Sequence, residues 1–165
     1  RQIENGNRTI VDYLTQNGLS ESDFAVAAPD GIDKMAERYS NETVQTRYMA
    51  TAGIIVTTNK VAQVRAMMQK QGELMKKGVA IIMGDYQYVT IYEYTDLNSV
   101  KPEMIADATR KAREAAEKFA EDSGSRVGKI MTANQGQFSI EDRDSFTPYI
   151  KKIRVVTTMT YSIVD

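Results

Sequence analysis

The closing run Ile150-Lys-Lys-Ile-Arg-Val-Val-Thr-Thr-Met-Thr-Tyr-Ser-Ile-Val164 constrains the fold more than any other part of the chain. Ile153, Val155, Met159, Tyr161 and Ile163 share one parity, and Lys152, Arg154, Thr158, Thr160 and Ser162 hold the other. Successive side chains of a strand point to opposite faces, so the run predicts one long strand with a dry face and a wet face. A dry strand face needs a cover. The stretch from about Pro102 to Ser123 supplies one, because Ile105, Ala108, Ala112, Ala115, Ala116, Phe119 and Ala120 mark a helix whose small residues allow close approach to a sheet.

The rest of the chain alternates between the same two patterns. Residues 2–17 predict a helix with Ile3, Ile10, Val11 and Leu14 inward, stopped by Asn17-Gly18. A turn at Leu19–Asp23 leads into a short strand, Phe24–Ala28, ended by Pro29-Asp-Gly31. Residues 32–45 are polar and read as a loop. Thr46–Thr58 alternates as a strand. Asn59 is placed to cap a second helix over 60–77, with Val61, Val64, Met68 and Met75 as its apolar stripe and Met67 and Leu74 beside it. Val79–Tyr94 is strand-like with a bend at Gly84-Asp85, and Asp96–Ser99 is a turn. Pro102 suits the first turn of the third helix. A strand over 127–133 and a polar, mobile loop over 134–149 precede the closing run.

Helices interspersed with hairpin-like strand pairs predict an α+β fold, a mostly antiparallel sheet with about three helices packed on it. The chain of 165 residues fits one domain, or two small subdomains over 1–95 and 96–165. The first helix has no strand before it, so the expectation is a further strand, with a signal or anchor, upstream of Arg1.

Composition narrows the chemistry. There is no Cys and no His, so disulfides, thiol nucleophiles and thiolate or imidazole metal sites are out, as is the usual general base near neutral pH. With 21 basic and 22 acidic residues the chain lacks the basic excess of a general nucleic-acid binder. No run approaches the roughly 20 apolar residues that a spanning helix needs.

The segment Ala108-Thr-Arg-Lys-Ala-Arg-Glu-Ala-Ala-Glu-Lys-Phe-Ala-Glu-Asp-Ser-Gly124, followed by Val127-Gly-Lys-Ile130 and Arg154-Val-Val-Thr-Thr-Met-Thr-Tyr161, resembles the SIMPL domain. That is the family of bacterial periplasmic immunogenic and oxidative-stress-defence proteins. Val11-Asp-Tyr-Leu14 with Gly18-Leu19 and Asp23, and Asn59-Lys-Val61, are similar to the family's earlier elements. The resemblance implies an exported protein of the periplasm or cell envelope, an α+β fold, no agreed enzymatic activity and, in some members, homo-oligomers. It implies no catalytic or binding residues to carry over.

Five features are candidate sites. Tyr86, Tyr88, Tyr92 and Tyr94 share one strand parity and could form an aromatic platform, or simply line a covered sheet face. Lys151, Lys152 and Arg154 form a basic patch that could meet an anionic partner, although such residues more often guard a strand edge. Glu141-Asp-Arg-Asp144 lacks the spacing of a cation loop and reads as solvated. Asp85 could be a buried acid or base, though a turn carboxylate bonding the backbone is plainer. Nine Met residues suggest core filler, or an oxidant-scavenging set if their sulfurs are exposed.

The first expectation is therefore a non-enzymatic envelope protein acting through self-assembly or contacts with an envelope partner, possible interaction surface Tyr86, Tyr88, Tyr92, Tyr94, Lys151, Lys152 and Arg154, in stress defence. It needs no cofactor or metal, binds no nucleic acid, and meets the membrane only through an N-terminal anchor. The alternative is a small-molecule or lipid-binding module with an apolar pocket between the Ala-rich helix and the tyrosine-bearing strand. An enzyme is the least supported reading, since no nucleophile–base pairing is visible.

Overall fold

The computed structural model describes residues 1–33, 48–82 and 89–165. The described helices are α1 (Gln2–Gln16), α2 (Val61–Gln69), α3 (Gly72–Lys76) and α4 (Leu97–Asp122). The strands are β1 (Phe24–Val26), β2 (Asp30–Asp33), β3 (Tyr48–Thr51), β4 (Ile54–Val56), β5 (Arg126–Gln135), β6 (Ser139–Asp142), β7 (Lys151–Arg154) and β8 (Thr157–Val164). Among the described residues all pairings are antiparallel, β1 with β4, β2 with β3, β5 with β8 and β6 with β7. The fold is α+β. The chain forms two compact units, residues 1–89 and 90–165.

In the first unit the core is Tyr13, Leu14, Leu19, Met67 and Leu74, with Ile10, Phe24, Ile54, Val56, Val64, Val79 and Ile81 packed against it. Tyr13 brings a polar atom into this core and satisfies it there, its hydroxyl donating to the Met67 carbonyl at 3.2 Å. Helix α1 ends where Gly18 takes φ +94°, a conformation that a side chain would strain. The following turn is fixed by a capping box, in which Asp23 accepts from the Ser20 N–H at 2.9 Å. The Lys60 ammonium then spans from the Gly18 carbonyl (3.1 Å) to the Asp23 carboxylate (2.9 Å), tying this turn to the start of α2.

Several boundaries differ from the sequence reading. Asp30-Gly31 lies in a strand, because Asp30–Asp33 pairs with Tyr48–Thr51. The strand expected over 46–58 breaks between β3 and β4 at Ala52-Gly53. Lys60, not Asn59, holds the N-cap position of α2, and no side chain caps it. The helix expected over 60–77 is two helices, and its buried residues are Met67 and Leu74. The inward stripe is thus Val64, Met67, Gln71 and Leu74, with Met68 and Met75 outside it. Residues 79–82 and 89–96 are not in strands.

In the second unit α4 packs along β5 and β8. It begins at Leu97, so Asp96–Ser99 is mostly helix, and Pro102 lies inside it rather than in its first turn. The missing proline N–H leaves the Asn98 carbonyl without its intrahelical donor, a loss tolerable where that carbonyl reaches water. The side turned inward is Leu97, Val100, Met104, Ile105, Ala108, Ala112, Ala116 and Ala120. Ala115 and Phe119, expected on that side, are exposed. On the outer face Arg110 pairs with Glu114 at 2.7 Å and Arg113 with Glu117 at 2.9 Å, as their spacing predicts. Lys118 reaches Glu121 and Asp122.

The closing run is not one strand. It divides at Val155-Val156 into β7 and β8, which face different partners. The expected alternation holds nonetheless: Ile153, Val155, Met159 and Tyr161 are half-buried and Lys152, Arg154, Thr158 and Thr160 exposed. Ile163 departs from it and is exposed, while Ser162 is half-buried. The segment expected as a mobile loop supplies the whole of β6.

Candidate interaction surface

The four strands of the second unit make one kinked ribbon. Gln135 faces Thr157, the Gly136 N–H donates to the Val156 carbonyl at 2.8 Å, and Ser139 faces Arg154, so β6 and β7 continue the two arms that β5 and β8 begin. Between Gln135 and Ser139 the first arm advances one residue more than the second. Similar shifts occur between Val127 and Ile130 and between Ile130 and Thr132. These bulges break the alternation of β5 and strengthen local twist.

The far end of the ribbon is an ordered turn. Asp144 accepts from the Phe146 N–H at 3.0 Å, the Thr147 hydroxyl at 2.6 Å and the Arg143 guanidinium at 3.0 Å. Those donors hold its carboxyl below the usual carboxylate range, the Thr147 hydroxyl most and Arg143 next. The Arg143 N–H donates to the Ile150 carbonyl at 2.9 Å and closes the arms. Phe146 stands at this tip, 90% exposed. Its signal was present in Asp144-Ser-Phe-Thr147, since a carboxylate followed two and three residues on by a backbone N–H and a hydroxyl is an Asx-type turn.

Among the described residues, the sequence-derived site residues do not share one face. Tyr86, Tyr88 and Asp85 lie outside the described residues. Tyr92 and Tyr94 are half-buried in a segment that is not a strand. The Tyr92 ring meets Tyr149 edge-on at 6.1 Å. Lys151 is ion-paired with Asp142 and its side chain is mostly covered. Lys152 and Arg154, exposed, have the opposite parity and face Glu141 and Ser139 across the ladder. The basic patch is thus divided between the two faces of the ribbon, and Asp142 of the acidic run pairs with Lys151. A shallow cleft of about 400 Å³ lies where α4 meets β5, walled by Glu117, Ala120, Glu121, Ser125, Arg126 and Val127. No tyrosine lines it.

The SIMPL family model, described as a protein of unknown function (DUF541), matches residues 1–161. This chain belongs to the SIMPL family. A search of curated proteins finds no match to it. As a SIMPL protein it has no helix, among the described residues, long and apolar enough to cross a membrane.

Proposed function

We propose that this SIMPL protein acts without catalysing a reaction, as a cell-envelope protein working through self-assembly in stress defence. The observation that supports this reading is the ribbon. Among the described residues each of its strands pairs along one edge only, leaving the other edge's N–H and C=O groups open to a strand from another copy. Ile130, Ile140, Phe146, Val156 and Ile163 expose apolar side chains along it. Exposed apolar groups on a ladder with open edges are what a symmetric oligomer can cover.

Light scattering over a range of protein concentration tests the assembly. Mass should rise with concentration in the parent chain and stay monomeric in Phe146→Asp and Ile163→Lys, both of which should melt like the parent. A parent chain that stays monomeric at every concentration would overturn the reading. Placement in the envelope rests on the family and is tested by fractionating native cells, where an entirely cytosolic pool would count against it.

A further inference from the structure

Sulfur in this chain is all methionine, and among the described residues Met67 is buried, Met104 and Met159 are half-buried and Met68, Met75 and Met131 are exposed. Met67 is 5% exposed at the centre of the first unit's core, where its carbonyl also receives the Tyr13 hydroxyl. Its neighbour Met68 is 41% exposed, since the next helical position is turned by about 100°. Met75 follows the buried Leu74 in the same way and is 64% exposed. Met131 is 66% exposed at the β5 bulge between Ile130 and Thr132, where it has no directly opposed residue.

We infer that Met68 and Met75 in the first unit and Met131 in the second are independent sacrificial oxidation sites that consume hydroperoxides while the fold stays intact. The thioether sulfur attacks one peroxide oxygen. An S–O bond forms as the O–O bond breaks. The sulfur gives up two electrons and becomes the sulfoxide, and the peroxide takes them and, with its protons, leaves as water or an alcohol. A sulfoxide at these three positions meets solvent. One at Met67 would put a polar, chiral group into the core. The inference gives the stress-defence reading a chemistry, and stands or falls separately from assembly, because the exposures are those of a single chain.

The test is hydrogen peroxide added to the intact chain, dilute enough to be monomeric, with sulfoxide followed peptide by peptide in a mass spectrometer. Met68, Met75 and Met131 should be oxidised about tenfold or more faster than Met67, whose sulfur is reached only through opening of the core. The melting temperature should not move while only Met68, Met75 and Met131 have reacted. A chain with Met68→Leu, Met75→Leu and Met131→Leu should fold and consume about three fewer peroxide equivalents before the core reacts. Oxidation of Met67 at the same rate as the others, unfolding with the first sulfoxide, or undiminished early peroxide consumption by the triple variant would each overturn the inference.

Discussion

The Ser162 hydroxyl occupies the space above Gly128 that a side chain would fill, and from there it accepts the Lys129 N–H at 2.9 Å. A methyl group on Gly128 would overlap that hydroxyl and come within 3.0 Å of Val164 Cγ2 and 3.1 Å of the Ser162 carbonyl oxygen. The bulge between Val127 and Ile130 thus has a side-chain bond in place of a regular ladder bond, and glycine makes room for it. Gly128→Ala should destabilise the chain by about 1–3 kcal/mol, the range for an overpacked site. Ser162→Gly on the same chain should recover part of the loss. A denaturant double-mutant cycle reads the coupling, and additive effects would mean the two residues do not meet.

Asp23 carries a pH dependence with a definite sign. The Ser20 N–H, then the Lys60 ammonium, then the Thr58 hydroxyl hold its carboxyl well below the usual carboxylate range. Its folded pKa is lower than its unfolded value of about 3.9, so its contribution is complete above that value and is lost as pH falls through the folded one. Thermal melts from pH 6 to pH 2 should show stability falling below about pH 4. Asp23→Asn should flatten this limb, and Lys60→Met should flatten it less, because the Ser20 bond survives. A limb unchanged in Asp23→Asn would place the acid sensitivity elsewhere.

The sequence made most elements visible where one residue per position answered to one face. Helix α1, the turn to Asp23 and the alternation of the closing run are such cases. It failed where two phases were both apolar. In the second helix Val61, Val64, Met68 and Met75 give one plausible stripe and Val64, Met67, Gln71 and Leu74 another, and the polar Gln71 concealed the one that packs. It failed also where register shifts hide alternation. β5 carries two bulges, so its parity is not read from spacing, and β6 is recognisable only through its pairing with β7. The surface was least legible of all, since Lys151 looks like its neighbour Lys152 until the pleat and Asp142 separate them.

The closing run offers a direct check on face assignment. Met159 is half-buried, its sulfur accepting from the Tyr161 hydroxyl at 3.3 Å, whereas Thr158 beside it is exposed. Met159→Lys should destabilise by at least about 1 kcal/mol, because it places a charge against α4 without a partner. Thr158→Lys should stay within about 0.5 kcal/mol of the parent. Denaturant midpoints decide it. Equal effects would mean the strand's faces are misassigned.

The phase of the α2–α3 pair is tested by the neighbours Leu74 and Met75. Leu74 is buried in the first unit's core, and the turn beyond α3 closes over it, its carbonyl accepting the Lys77 N–H and the Val79 N–H at 3.0 Å each. Truncating it to Ala leaves a cavity that the surrounding Tyr13, Leu14 and Met67 fill only by shifting. Leu74→Ala should therefore cost about 2–5 kcal/mol. Met75→Ala removes as many side-chain atoms but opens no cavity, and alanine favours the helix, so its effect should lie within about 0.5 kcal/mol of zero. Chemical denaturation of the two variants side by side measures the difference. A larger loss from Met75→Ala than from Leu74→Ala would restore the stripe that the sequence suggested, and would place Met75 inside the core instead of at its surface.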